Sequence, residues 1–437
     1  MSGADCSRGG PRIIVDQPSA LYDTAVSIVV EGLVPENPAT LTATFHIPGS
    51  VPWRSHATFT ADSDGRVDLT RQAPVAGTYG GVAPMGLFWS ASPVRAETPA
   101  APDGVMRPRI VRLEAEAAGL SSANVTLERL WAGPGVTRLV VNEGGVIGTL
   151  FLPPGAGPHP AVIVLGGSDG GISEHRSALL ASHGYAALSL AYFRCHGLPR
   201  SLVNIPLEYF ENAIQWIRAQ TWLHDHFLAV WGVSRGGELA LLIGSTIPQI
   251  NGIVAYVPSG VLHGGFGPDD ASNDGLCAAW SYRGRSLPYL RENNTADDPA
   301  SVDYRVAPVA EAPRYLALLR DVSAVERATI PVEKIQGPVL LVSGQDDQIW
   351  PSSVMAEIAI RRLEQKNHAF PFRHVSYPGA GHGIYVPYSS TTQNVFVHPI
   401  DGTQYTLGGR PEADAEAGAD AWRHVLAFLK ESRRCCA

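Results

Sequence analysis

The chain holds 437 residues, 45% of them apolar, with 45 glycines, 34 prolines and a formal charge of −8. This length predicts two or three domains with a sizeable core, and the composition is that of a globular protein rather than a low-complexity one. Charges are scattered without long like-sign runs, so no broad basic face exists to displace counterions from a polyphosphate, and nucleic-acid binding is not expected.

No apolar run approaches the roughly 18 residues of a membrane span, and Met1 to Arg12 lacks the apolar centre of a secretory signal. The expectation is a cytoplasmic protein with no membrane span. Five cysteines (Cys6, Cys195, Cys277, Cys435, Cys436) form no zinc spacing, and the last two are adjacent, so reduced thiols are expected. Without a secretory route, the sequons at Asn124 and Asn293 carry no meaning. Lysine is rare beside arginine, a bias of GC-rich bacterial genomes rather than a physical requirement.

From Ile13 to about Leu130 the chain consists of short β-branched or alternating segments, among them Val26–Val30, Thr42–Ile47, Ala57–Thr60 and Val125–Glu128. Turn residues such as Asp64-Gly65 separate them, which predicts an antiparallel sandwich. After Pro153–Pro158 the pattern changes to apolar runs alternating with helical stretches. Strands are predicted at Ala161–Leu165, Ala186–Leu190, Phe227–Trp231, Gly252–Val257, Val339–Ser343 and Phe372–Tyr377. Helices are predicted at Ser173–His183, Pro206–Gln220 and Asp420–Ser432. Continuous apolar strands between amphipathic helices predict a mainly parallel α/β sheet with helices on both faces.

Gly232-Val233-Ser234-Arg235-Gly236 joins the end of a predicted strand to a helix-forming run. This G-x-S-x-G pattern in a strand-turn-helix context is a nucleophile elbow, in which the glycines allow a turn sharp enough to present Ser234 above the sheet. A serine hydroxyl needs a histidine base and an orienting carboxylate, expected downstream in the order acid then histidine. The strand at 340–343 runs into Gly344-Gln345-Asp346-Asp347, where Asp346 and Asp347 compete; the spacing from Gly344 and to Pro351 selects Asp347, with Asp346 left to cap the turn. His382 follows in the glycine-rich loop Gly379-Ala380-Gly381-His382-Gly383. The oxyanion of acyl transfer needs two backbone donors, assigned to Arg235 and to Gly167 or Ser168 in the turn after the first α/β strand. That turn is not followed by Gly-Lys-Ser/Thr, so it is not read as a phosphate loop. His224-Asp225-His226 would point its two rings to opposite faces of an extended segment, so no metal is assigned. No cofactor is assigned either.

These motifs resemble the acyl-CoA thioesterase and bile acid-CoA:amino acid N-acyltransferase family. The resemblance covers nearly the whole chain. It rests on Pro84–Ser90, Gly148–Pro154, Leu190–Phe193, Pro206–Phe210, the elbow with Gly237-Glu238-Leu239, Gly344–Asp347 with Trp350, Gly381-His382 and Gly408–Pro411. It implies an N-terminal immunoglobulin-like all-β sandwich (residues 1–130) fused to an α/β-hydrolase catalytic domain (residues 131–437), with Ser234, Asp347 and His382 matching the family's triad. The implied substrate is an acyl-CoA or acyl-carrier thioester. Amino-acid transferases of the family place cysteine at the nucleophile, so serine favours hydrolysis; the alternative is an acyltransferase or cyclase that passes the acyl group to an amine or hydroxyl. A noncatalytic binding protein on the same scaffold is a further alternative, opposed by the complete triad. The C-terminus carries no Ser-Lys-Leu-type signal, so peroxisomal residence is not expected, and a bacterial member of the family is the expectation. Polar residues in the loop Tyr192–Gly197 and between His263 and Ala300 imply an acyl group other than a plain fatty chain, if those loops line the pocket. Arg194, Arg200, Arg283 and Arg285 are candidates for contact with CoA phosphates.

Overall fold

The computed structural model describes residues 10–47, 50–94, 106–267, 277–291 and 302–435. Cys6, Cys436, Asn293 and part of the stretch between His263 and Ala300 lie outside them, as do the side chains of His224, Asp225 and His226. The chain divides into two compact units: residues 1–131 with 386–393, and residues 132–385 with 394–437.

The first unit is β-rich. A three-stranded antiparallel sheet is formed by Arg12–Val15, Ile28–Glu31 and Val67–Asp68. The larger sheet runs in the order Ser19–Leu21, Ala123–Leu130, Arg109–Ala117, Pro38–His46, Pro52–Thr60, Ala76–Gly77. Pro38–His46 buries alternate residues, Ala39, Leu41, Ala43 and Phe45, as a strand with one face on a core must. One pairing departs from the antiparallel expectation: Ser19–Leu21 lies parallel to Ala123–Leu130. The segment Val386–Gln393 belongs to this unit, with Thr391 N–H bonded to the Trp89 carbonyl at 3.1 Å and the Ser390 hydroxyl to that of Ala91 at 2.6 Å.

The second unit is built on an eight-stranded sheet, numbered here β1 (Thr137–Glu143), β2 (Val146–Leu152), β3 (His159–Leu165), β4 (Ala186–Leu190), β5 (Leu223–Val233), β6 (Gly252–Tyr256), β7 (Val339–Gly344) and β8 (Phe372–Tyr377). The spatial order is β1-β2-β4-β3-β5-β6-β7-β8; the β1–β2 hairpin is antiparallel, β2 pairs antiparallel with β4, and all other pairings are parallel. Strands β4, β6 and β7 are buried at every residue, because helices cover both faces and leave no polar side for alternation. The helices that matter for the site are α1 (His175–Ser182), α2 (Leu207–Arg218), α3 (Arg235–Thr246), α4 (Ser352–Gln365) and α5 (Pro411–Cys435). In α2, Leu207, Phe210, Ala213, Ile214 and Ile217 form the buried stripe that the 3.6-residue period predicts. This arrangement is the α/β-hydrolase fold. After β3 the chain leaves to β4 on one side, and after β4 it returns to β5 on the other, so β3 and β5 flank the point where the winding reverses. Ligand crevices of open α/β sheets form at the carboxyl ends of such strands. Among the described residues no helix is long and apolar enough to cross a membrane.

Candidate active site

The β3–β5 register pairs Leu165 with Gly232, so the loops that follow both strands emerge side by side. Ser234 occupies the turn between β5 and α3 with φ 57° and ψ −121°, a strained conformation for a residue with a side chain. Its N–H is held by the Tyr256 carbonyl at the end of β6 (2.9 Å), and its carbonyl accepts from Gly237 and Glu238 as α3 begins. The two flanking glycines are required by close approach. A Cβ at Gly232 would lie 1.8 Å from the Gly236 carbonyl oxygen, and one at Gly236 would lie 2.2 Å from that of Gly166. The elbow and the loop after β3 are thus in backbone contact, and a Cβ built on Gly167 would stand 3.4 Å from that of Ser234.

Asp347 and His382 meet directly. His382 Nδ1 lies 2.8 Å from Asp347 Oδ2, and the Asp347 side chain is fully buried. The other carboxylate oxygen, Oδ1, accepts the N–H groups of Ile349 (3.0 Å) and Trp350 (3.3 Å), so Asp347 caps its own turn. Asp346, expected to provide that cap, is exposed; its N–H bonds to the Ala380 carbonyl at 2.9 Å, which ties the acid turn to the histidine loop. The N–H of His382 bonds to the Leu407 carbonyl at 2.8 Å, which docks the loop on the turn before α5. Trp350 ties the acid turn to the end of β6: its indole N–H donates to the Val257 carbonyl, one residue beyond β6, at 2.9 Å, and its ring meets that of His382 edge-on at 6.1 Å. Ser234, Asp347 and His382 therefore project from the same carboxyl edge of the sheet. Among the described residues no hydrogen bond joins His382 to Ser234.

Arg235, the first residue of α3, has a buried side chain that pairs with Glu238 at 2.7 Å and donates to the carbonyls of His263 (3.2 Å) and Gly264 (3.0 Å). Glu238 also accepts the Trp280 indole N–H at 2.6 Å. Burial pushes the Glu238 carboxyl up to about 7, against the pull of Arg235 and Trp280. His263 packs against Trp350, with ring centroids 5.5 Å apart, and bonds Ser259 at 3.1 Å. Burial, reinforced by the charges of Arg235 and Arg314, lowers its pKa well below the ordinary imidazole value and keeps the ring neutral.

The loop after β3 is fastened through its carbonyls. The Tyr192 hydroxyl, at the end of β4, lies 2.8 Å from the Gly166 oxygen and 3.3 Å from that of Gly167. Arg194 Nη1 donates to the Asp169 carbonyl. Arg194, Arg200, Arg283 and Arg285 are all exposed. Asp414, in the first turn of α5, accepts the Gly381 N–H at 2.7 Å and so holds the residue beside His382. Burial, then the charges of Asp347 and Asp346, push its carboxyl up to about 7 in spite of that bond. Sequence patterning gave no role to Tyr192, Glu238 or Asp414. For Glu238 a signal existed, an acid one turn into an otherwise apolar helix; the others act across long separations that no local pattern encodes.

Residues 23–143 match the family described as the acyl-CoA thioester hydrolase/BAAT N-terminal region, and residues 205–268 and 297–433 match the BAAT/acyl-CoA thioester hydrolase C-terminal region. The chain is similar to acyl-coenzyme A thioesterase 6 of Mus musculus, 34% identical over 418 residues that cover 94% of each chain. It is 32% identical to the peroxisomal succinyl-coenzyme A thioesterase of Mus musculus over 421 residues, 93% of each chain. To acyl-coenzyme A thioesterase 1 of Homo sapiens it is 33% identical over 419 residues, again 93% of each. With both regions matched and relatives similar along nearly their whole length, the chain belongs to the acyl-CoA thioester hydrolase/BAAT family.

Proposed function

We propose that this protein hydrolyses acyl thioesters, of CoA or of a carrier protein, through an acyl-enzyme on Ser234. The reading assigns the chemistry to residues 131–437 and treats residues 1–130 as a separate β domain. The observation that carries it is the 2.8 Å Asp347–His382 bond on loops that share a sheet edge with the Ser234 elbow. In the first step Ser234 Oγ attacks the thioester carbonyl carbon while His382 Nε2 takes the hydroxyl proton. Asp347 holds the imidazole by Nδ1 and balances its charge. The oxyanion is met by the N–H groups of Arg235 and of Gly167 or Ser168. Collapse breaks the C–S bond, and the departing thiolate takes the proton back from His382. A water then repeats the sequence: His382 accepts its proton, its oxygen attacks the serine ester, and the acid leaves as Ser234 is reprotonated.

Serine at 234 supports water as acceptor, because a thioester intermediate is better suited to attack by amines than an oxygen ester is. The test is intact-protein mass spectrometry after mixing with a panel of acyl-CoA thioesters, with Ser234→Ala in parallel. Wild-type protein should gain the mass of one acyl group and release free acid in the presence of amines, while Ser234→Ala gains nothing and loses roughly 10³–10⁶ in turnover. Undiminished turnover by Ser234→Ala overturns the assignment, and amide in place of free acid overturns hydrolysis in favour of transfer.

A further inference from the structure

We infer that Tyr192, assisted by Arg194, is a positioning residue that aims the N–H groups of the loop after β3 at the oxyanion. The inference rests on the reading of that loop proposed above. In a trans peptide the carbonyl of one residue and the N–H of the next point in opposite directions. Whatever holds the carbonyls of Gly166 and Gly167 therefore sets the aim of the N–H groups of Gly167 and Ser168, the two candidate donors. The Tyr192 hydroxyl reaches both carbonyls, at 2.8 and 3.3 Å. The Asp169 carbonyl is engaged in turn, by a hydrogen bond from Arg194. Three carbonyls of this short loop, those of Gly166, Gly167 and Asp169, thus bond to side chains, that of Gly167 also accepting the Gly170 N–H at 3.3 Å. The opposite side of this loop lies against Ser234, where a Cβ on Gly167 would approach that of Ser234 to 3.4 Å.

The clamp is itself held firmly. Tyr192 is buried among the rings of Phe193, Phe210 and Trp280, with centroids 5.2 to 5.9 Å away. Burial raises its phenol well above the ordinary tyrosine value, so the hydroxyl keeps its proton and its role as donor throughout the working pH range. Preorganised donors stabilise a developing charge because their orientation is set before the reaction begins, and a hydroxyl that spans the two relevant peptides supplies that orientation.

A buried tyrosine that merely satisfies its own hydroxyl would have the same contacts but different consequences. Tyr192→Phe removes only the oxygen. It should lower kcat by roughly 10–100-fold with KM changed less than about threefold. Its affinity for an acyl trifluoromethyl ketone, whose adduct with serine carries the oxyanion, should fall by the same factor as kcat/KM. Its affinity for a non-hydrolysable thioether analogue of the substrate should hold. Arg194→Met, which removes an exposed donor and does not threaten folding, should show the same selective loss at a few-fold level when the ketone and thioether are built on pantetheine, which lacks the CoA phosphates. The inference is overturned if Tyr192→Phe keeps kcat within twofold, if ketone and thioether weaken alike, or, should that variant fail to fold, if Arg194→Met shows no selective loss. The acyl adduct on Ser234, measured in the same preparations, separates the two levels: its absence in wild-type protein sinks the enzymatic reading, whereas an intact adduct with an unaffected Tyr192→Phe sinks only the clamp.

Discussion

Replacing Asp347 by asparagine changes one atom and should disable the base. Asp347 Oδ1 accepts two backbone N–H groups, from Ile349 and Trp350, while Oδ2 faces His382 Nδ1 at 2.8 Å. An amide has one oxygen, and the two N–H donors claim it. The NH₂ group then points at Nδ1, which must become the acceptor, so that Nε2 carries the proton and cannot take one from Ser234. The opposite flip restores the useful tautomer but sets an NH₂ against two buried donors. At about 1–3 kcal/mol for each unmet group, the productive flip lies about 2–6 kcal/mol higher, a loss of roughly 30- to 10⁴-fold in kcat. The assay is release of the CoA thiol, followed with a thiol-reactive chromogen. Asp346→Asn, at an exposed position, is the control and should stay within about twofold of wild type. A folded Asp347→Asn protein within fivefold of wild type refutes the reasoning, as does an equal loss in Asp346→Asn.

Three further outcomes are expected. Gly236→Ala drives a methyl group into the Gly166 carbonyl (2.2 Å) and that of Leu165 (2.8 Å), separating elbow from loop; turnover should fall at least about 10²-fold with a lowered melting temperature, both read on purified protein. At pH 8, where the Glu238 carboxyl is ionised, Glu238→Gln leaves the buried Arg235 guanidinium without its counter-charge and should cost about 3–5 kcal/mol in urea unfolding, much of it regained in the double variant Arg235→Met/Glu238→Leu. Asp414 has a folded-state pKa raised to about 7, so the native state binds the extra proton and the stability this contributes is complete below the unfolded carboxyl pKa and lost as pH rises through about 7. Asp414→Asn should therefore flatten the decline of melting temperature between pH 5 and 8, with a gain of about 3 °C at the upper end; an unchanged slope argues against a raised pKa.

What the sequence disclosed and what it withheld divide along physical lines. The elbow was legible because its sterics are local: the carbonyl that Gly232 must admit belongs to Gly236, four residues away. Strands β3, β4, β6 and β7 were legible because burial on both faces demands unbroken apolar runs. Helix α5 begins at Pro411, earlier than the predicted Asp420, since its opening turns are rich in alanine and acids that favour a helix without declaring an apolar face. Helix α4 escaped the pattern reading altogether. The carbonyl clamps escaped it too. Tyr192 and Gly166 are 26 positions apart, and nothing in either neighbourhood says that one hydroxyl will meet two peptides; that juxtaposition comes from the β3–β4 pairing.

The path of the chain after His382 bears on how this architecture can be rearranged. Residues 386–393 leave the hydrolase unit, donate hydrogen bonds to carbonyls of the N-terminal one, and return before α5. The N-terminal unit is consequently not an appendage that recombination or a cloning scissor can exchange at residue 131. A chimera that swaps only the first stretch leaves a native strap laid against foreign carbonyls, and that strap begins four residues beyond the histidine. A faithful transplant carries both pieces, which makes the two units partners in inheritance even though each has its own core.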